Sequence, residues 1–367
     1  MSVAVPDILF LLLRVALRGD ERECSQAKTV DWDMVDWQGV YDLAKSQGVA
    51  AIAFDGVVTL HKHSPNLELR VPRLLKMRWV AISDSIEKNS DRQFVRSAEL
   101  ASLYGAEGID VYVLKGFALS DYYPIPKHRE CGDLDCFLGE DYERGNVLAE
   151  QNGADVSRGF YKHSHIEFRG LTVENHQFCT AIRGARRRKR FERHLQGLLK
   201  EATPEYISGT KLIRPSADFN ALFLTAHSFG HFLTEGIKIR HILDWALLVQ
   251  AEQTRIDWEE FYRQCDAMGY TRFAEALTAI AVEYLGFKFT NPAIRQRSAY
   301  AKRVLNDILY YGHVLHTSHY SKLRKRFLIV EYNLRGAWKY HKLYGRSVLF
   351  EVARATWALC FERHPKL

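Results

Sequence analysis

The sequence lacks a cysteine framework. Its six cysteines, at positions 24, 131, 136, 179, 265 and 360, are scattered, and no two stand at the spacing of a zinc knuckle or a redox motif. They read as reduced thiols, including the closest pair, Cys131 and Cys136. Also missing is any run of the ~20 apolar residues that a membrane span needs. The longest candidate is broken by Arg14, Arg18 and Asp20. The shorter run from Ile8 to Leu13 follows Asp7, meets Arg14 at once, and has no small-residue cleavage site downstream, which argues against a signal peptide. A cytoplasmic location with no membrane partner is the resulting expectation. There is no internal repeat and no low-complexity stretch, so solenoids and disordered linkers are excluded as well.

What is present is an ordinary globular composition. The chain has 367 residues, 47% hydrophobic and 26% charged, enough for about two or three domains. A formal net charge of +7 favours anionic partners such as nucleotide phosphates, nucleic acid or an acidic surface. Much of the excess lies in Arg183-Gly-Ala-Arg-Arg-Arg-Lys-Arg190. That run reads either as a phosphate-facing patch or as a solvated helix face.

Periodicity divides the chain into three parts. Residues 1–105 form an N-terminal helical region, with apolar faces at Ile8, Leu11, Leu12 and Val15 and at Trp37, Val40, Tyr41 and Ala44. Residues 106–200 change character. The run from Gly108 to Leu114 predicts a buried strand, and Phe117 to Tyr123 a short helix stopped by Pro124 and Pro126. A second strand starting near Gly132 follows, then a helix over 141–151 and a hairpin over 163–178 turning at Arg169 and Gly170. From 201 to 367 the pattern is helical again, with helices expected from Ala217 onward and over 257–286, 295–317 and 325–362. The fold class is therefore α+β: a small mixed sheet flanked by helical regions on both sides.

Within that small sheet the informative stretch is Gly132-Asp-Leu-Asp-Cys-Phe-Leu138. Residues two apart on a strand point the same way, so Asp133 and Asp135 project together while Leu134 and Cys136 face the core. Two carboxylates a few ångström apart repel, and a divalent cation shared with substrate phosphates is the usual remedy. Just upstream, Lys115-Gly116 ends one strand and opens a helix, offering a lysine and backbone N–H groups to a polyphosphate.

These residues resemble the polymerase-beta-like nucleotidyltransferase superfamily, and most closely its uncharacterised bacterial nucleotidyltransferases. The matching positions are Leu114-Lys115-Gly116, Tyr123-Pro124, Arg129, Asp133-Leu134-Asp135, Val173-Glu174-Asn175-His176, His227 to His231 and Asp244-Trp245. Similarity extends forward to Asp36-Trp37 and to the stretch from Leu43 to Val49. The chain departs from the broader superfamily in having Lys115-Gly116 where Gly-Ser is usual, and in the longer gap to Asp133.

The resemblance implies transfer of a nucleoside monophosphate from an NTP, with ATP the expected donor, and release of pyrophosphate. It implies Mg²⁺, or Mn²⁺ in its place, held by Asp133, Asp135 and a third carboxylate. Glu174 is the first choice for that third carboxylate and Glu167 the alternative. Lys115, Gly116, Ser120 and Arg129 are the candidate phosphate contacts. His227 and His231, four apart on one helix face, suit substrate contact, a metal or a structural role. The acceptor is open among small molecules, peptides and proteins. Two other readings use the 183–190 patch: a nucleic-acid-binding protein without chemistry, and a degenerate scaffold.

Overall fold

The computed structural model describes residues 4–19, 21–159, 161–183, 185–310, 321, 324 and 335–351. Five helices come first: α1 (Val5–Arg18), α2 (Glu21–Ala27), α3 (Trp37–Ser46), α4 (Ala50–His63) and the long α5 (Arg73–Ala106). Then come β1 (Val111–Val113), α6 (Phe117–Ser120), β2 (Leu134–Phe137), α7 (Tyr142–Gln151), β3 (Asp155–Ser157), β4 (His163–Phe168) and β5 (Leu171–His176). The chain continues through α8 (Arg186–Glu201), β6 (Glu205–Tyr206), β7 (Leu212–Arg214), α9 (Ala217–Thr234) and α10 (Ile239–Glu252). The described residues go on through α11 (Trp258–Met268), α12 (Thr271–Glu283), α13 (Ala301–Tyr310) and a π-helical turn over Lys339–Tyr344.

Local chemistry accounts for these boundaries. Pro6 opens α1 and a left-handed Gly19 closes it. Side chains of Asp36, Ser216 and Asp257 accept backbone N–H groups at the starts of α3, α9 and α11. Gly269, at φ 82°, splits the single helix expected over 257–286 into α11 and α12. The hairpin turns at Arg169 and Gly170, both at positive φ. The strands are shorter than the sequence suggests, since β1 spans Val111–Val113 and β2 begins at Leu134. Of the two last helices expected, 311–317, 325–334 and 352–362 lie outside the described residues.

Among the described residues one sheet of seven strands runs β3-β4-β5-β2-β1-β7-β6. β2 pairs in parallel with β5, and β1 in parallel with β7; the other four pairings are antiparallel. The fold is thus the expected mixed sheet with helices at both ends of the chain. Strands β6 and β7, whose few residues carry no alternating pattern, extend the sheet beyond residue 200.

Each face of the sheet serves a different core. Leu134, Cys136, Ile166, Phe168, Leu171 and Val173 pack with Leu100 and Tyr104 of α5 and Ala149 of α7. Phe137 and Leu114 join the larger core, where α1, α3 and α4 meet α8 to α13. Strand alternation then forces Asp135 to the side opposite Leu134 and Cys136. No helix among the described residues is long and apolar enough to cross a membrane.

Candidate active site

The register places the acids. Asp135 on β2 stands directly beside Glu174 on β5, and Glu174 stands directly across from His165 on β4. Glu167 is displaced along the hairpin, exposed, where it accepts from Thr172 Oγ1 at 2.8 Å. Of the two candidate third carboxylates, Glu174 is therefore the one brought to Asp135. Asp133 sits just ahead of β2 and remains outside the compact group formed by Asp135, Glu174 and His176.

Asp135 is fully buried yet charged. Burial works against its ionisation, but Lys115 and His176 more than offset this and hold its carboxyl below the ordinary range. Lys115 Nζ lies 2.9 Å from Asp135 Oδ2, and His176 Nε2 lies 3.1 Å from Oδ1. Lys115 responds in turn: burial opposes its charge, while Asp135, Asp133 and Glu174 raise its pKa. Glu174 is lowered despite burial, through His176 and His163. Asp133 behaves oppositely, raised first by burial and then by the like charge of Asp135. No described residue forms a hydrogen bond or ion pair with the Asp133 carboxylate.

His176 bears on what belongs between these acids. Its Nδ1 lies 3.3 Å from the Phe178 carbonyl. Nε2 faces Asp135 at 3.1 Å and Glu174 Oε2 at 3.4 Å. An imidazole with one nitrogen bound to a backbone carbonyl and the other aimed at carboxylates is oriented as metal-binding histidines are. The residue was read in the sequence only as part of a matching strand. Its alternation with Glu174 on β5 was the signal available.

Cations line the other side. Lys162 immediately precedes β4, and its pKa is lowered chiefly by burial, against the pull of Asp135 and Glu174. His227 on α9 is held well below its ordinary range by burial first, then by Lys115, His231 and Lys162. Its ring stacks on Phe223 and meets His231 edge-on, at centroid distances of 5.4 and 4.4 Å. His231 in turn pairs with Glu235 one turn later. His227 thus stands within electrostatic reach of the two lysines, and His231 behind it. Lys162 went unread in the sequence, since a lone lysine before a strand carries no pattern.

Two expected phosphate contacts are committed elsewhere. Ser120 is buried and donates to the Phe117 carbonyl at 3.0 Å, inside its own helical turn. Arg129 is buried and grips Asp244 of α10 with two hydrogen bonds of 2.7 and 2.8 Å, while Tyr123 donates to the same carboxylate at 2.7 Å. The partner, more than a hundred residues away, was beyond sequence reasoning. His241 caps its own helix through the Lys238 backbone. Gly116 does occupy a backbone region that glycine adopts without strain, at φ 62°. The helix it opens has four residues, too few for an effective dipole, so its backbone N–H groups rather than a helix field are what Gly116 offers.

The basic run is largely engaged. Arg183 stacks over Tyr161 at 3.7 Å, Arg187 donates to Tyr344 Oη at 2.8 Å, and Arg188 pairs with Glu351 at 3.6 Å. Arg186 and Arg190 remain exposed. Residues 186–190 open α8, and Arg187 and Arg188 pack against Tyr344 and Glu351.

Fold and site together define a mixed α/β protein in which acids from two parallel strands face lysines and histidines drawn from inner strands, their ends and α9. Residues 33–286 match the family described as uncharacterised nucleotidyltransferase, and the chain belongs to it. Membership makes the protein a transferase of nucleotidyl groups. No curated protein and no solved structure matches the chain.

Proposed function

We propose that the protein transfers a nucleoside monophosphate from ATP to an acceptor nucleophile at the Asp135 and Glu174 pair, with Asp133 beside it. The observation that carries this is the pairing of Asp135 with Glu174 in register, with Lys115 2.9 Å from Asp135. A bond forms between the acceptor oxygen and the α-phosphorus, the bond from that phosphorus to the bridging oxygen breaks, and pyrophosphate leaves with the electron pair.

The donor set fits a divalent cation, Mg²⁺ or Mn²⁺. Asp135 and Glu174 offer, in one compact group with His176, the oxygen ligands both prefer, and the Asp133 carboxylate beside them has no hydrogen bond or ion pair among the described residues. When bound, such a cation neutralises triphosphate charge and acidifies the acceptor hydroxyl. Asp135 and Glu174 would hold it, with Asp133 beside them as a further carboxylate. Lys115 then exchanges Asp135 for a phosphate oxygen, Lys162 supplies a second positive charge, and Gly116 lets the backbone approach. His227, neutral in its buried setting, donates or accepts a hydrogen bond without adding charge.

The test is label transfer from ATP carrying a labelled α-phosphate, with and without Mg²⁺. Changing Asp133→Ala and Asp135→Ala together should abolish labelling; equal labelling by that variant would sink the proposal.

A further inference from the structure

Asp135 and His176 occupy one side of Glu174. The other side faces β4, where His163 and His165 stand two residues apart and so present both imidazoles on the face that carries Glu174. One ligand atom from each of His163, His165 and Glu174 falls within 4.8 Å of the others. The two rings pack edge to face at 4.7 Å.

The separation between His163 Nδ1 and Glu174 Oε2 is 3.4 Å. That is long for a hydrogen bond. It matches the edge, about 3.3 Å, of a tetrahedron whose centre holds a cation at ~2.0–2.1 Å from N and O ligands. The strands beneath are pinned in place. Ser164, turned to the opposite face, donates to Asn146 Oδ1 at 2.6 Å, and Asn175 donates to the same oxygen at 2.9 Å. Asn146 thus locks β4 to β5 next to the histidines.

We propose that His163, His165 and Glu174 form a second metal site, one that takes a borderline divalent cation such as Zn²⁺ and shares Glu174 with the carboxylate cluster. Two imidazole nitrogens and one carboxylate oxygen form a set that suits Zn²⁺. Mg²⁺, which prefers an all-oxygen octahedron, is poorly served by it. A three-residue set leaves a position for water or substrate, unlike a closed structural site.

Metal content can be read without nucleotide or turnover, so this site stands or falls separately from nucleotidyl transfer. The full chain, stripped with chelator, is dialysed against Zn²⁺ with excess Mg²⁺ present, and bound zinc is counted by mass spectrometry. Wild type should retain one Zn²⁺. His165→Ala removes an exposed side chain and should weaken Zn²⁺ binding by roughly 10–100-fold or more, the lower bound being what loss of a mere outer-shell partner costs. Asp133→Asn should keep the ion. Co²⁺ offers a second readout, since intense visible bands of a four-coordinate site should appear in wild type and vanish in His163→Gln. Zinc held equally by wild type and the His165→Ala variant, or not held by wild type, overturns the proposal.

Discussion

At the scale of single residues, burial separates the roles that sequence alone assigned together. Asp135 and Arg129 are both buried charges near the same strand, yet Asp135 faces the site and Arg129 faces α10. Removing one partner of a buried ion pair leaves the other charge uncompensated, which typically costs about 3–5 kcal/mol. Arg129→Met is therefore expected to lower unfolding free energy by about that amount in denaturant titrations, whereas adding Asp244→Leu should restore much of it. A double variant no more stable than the single one would show that Arg129 acts otherwise. Lys115→Gln removes the countercharge beside Asp135. We expect kcat/KM for ATP to fall by roughly 10²–10³-fold, as on losing a principal electrostatic contact, and thermal stability to fall as well, because Asp135 is left buried with only His176 beside it.

Among the elements, α1 approaches α4 closely at Gly56. A Cβ at Gly56 would stand 2.2 Å from the Leu12 carbonyl oxygen, a backbone atom that cannot swing aside. Gly56→Ala should destabilise by about 1–3 kcal/mol through overpacking. Gly197 on α8 provides the contrast, since a Cβ there meets only the end of Glu201 at 3.9 Å. Gly197→Ala should stabilise by about 0.5–1 kcal/mol from helix propensity. Thermal melts of the pair, read against wild type, must move in opposite directions. The elements themselves were largely legible: the hairpin at Arg169-Gly170, the α7 stretch and the start of α9 follow from turn chemistry and period. β3, β6 and β7 were not, because two or three residues are too few to show alternation.

Across the whole molecule, His128 ties distant parts together. It lies between Asp55 of α4 at 2.6 Å and Glu87 of α5 at 2.7 Å, one residue before Arg129. Burial opposes its protonation, but hydrogen bonds to Asp55 and Glu87 outweigh this and raise its pKa above the ordinary value. A raised histidine stabilises fully below its unfolded pKa, ~6.5, and the contribution disappears as pH climbs through the folded value. Wild type should therefore exceed His128→Gln in melting temperature at mildly acid pH, with the gap narrowing as pH becomes alkaline. A gap independent of pH would remove the ion-pair explanation. The N-terminal and C-terminal helices share one apolar core, so this clamp and the Arg129–Asp244 pair hold the segment before β2 from both sides.

The strand carrying Asp135, the lysine–glycine turn before it and the hairpin whose second strand carries Glu174 were readable, because strand period and turn chemistry are local properties of the chain, whereas Asp133 lies ahead of the strand on which the alternation placed it. The compact grouping of Asp135 and Glu174 with His176, the histidine pair across the hairpin, the diversion of Arg129 to Asp244 and the inward turn of Ser120 were decided only by tertiary structure. The physical reason is that these depend on strand pairing and on partners as far as 115 residues apart, contacts set by which surfaces are buried together rather than by neighbours in sequence.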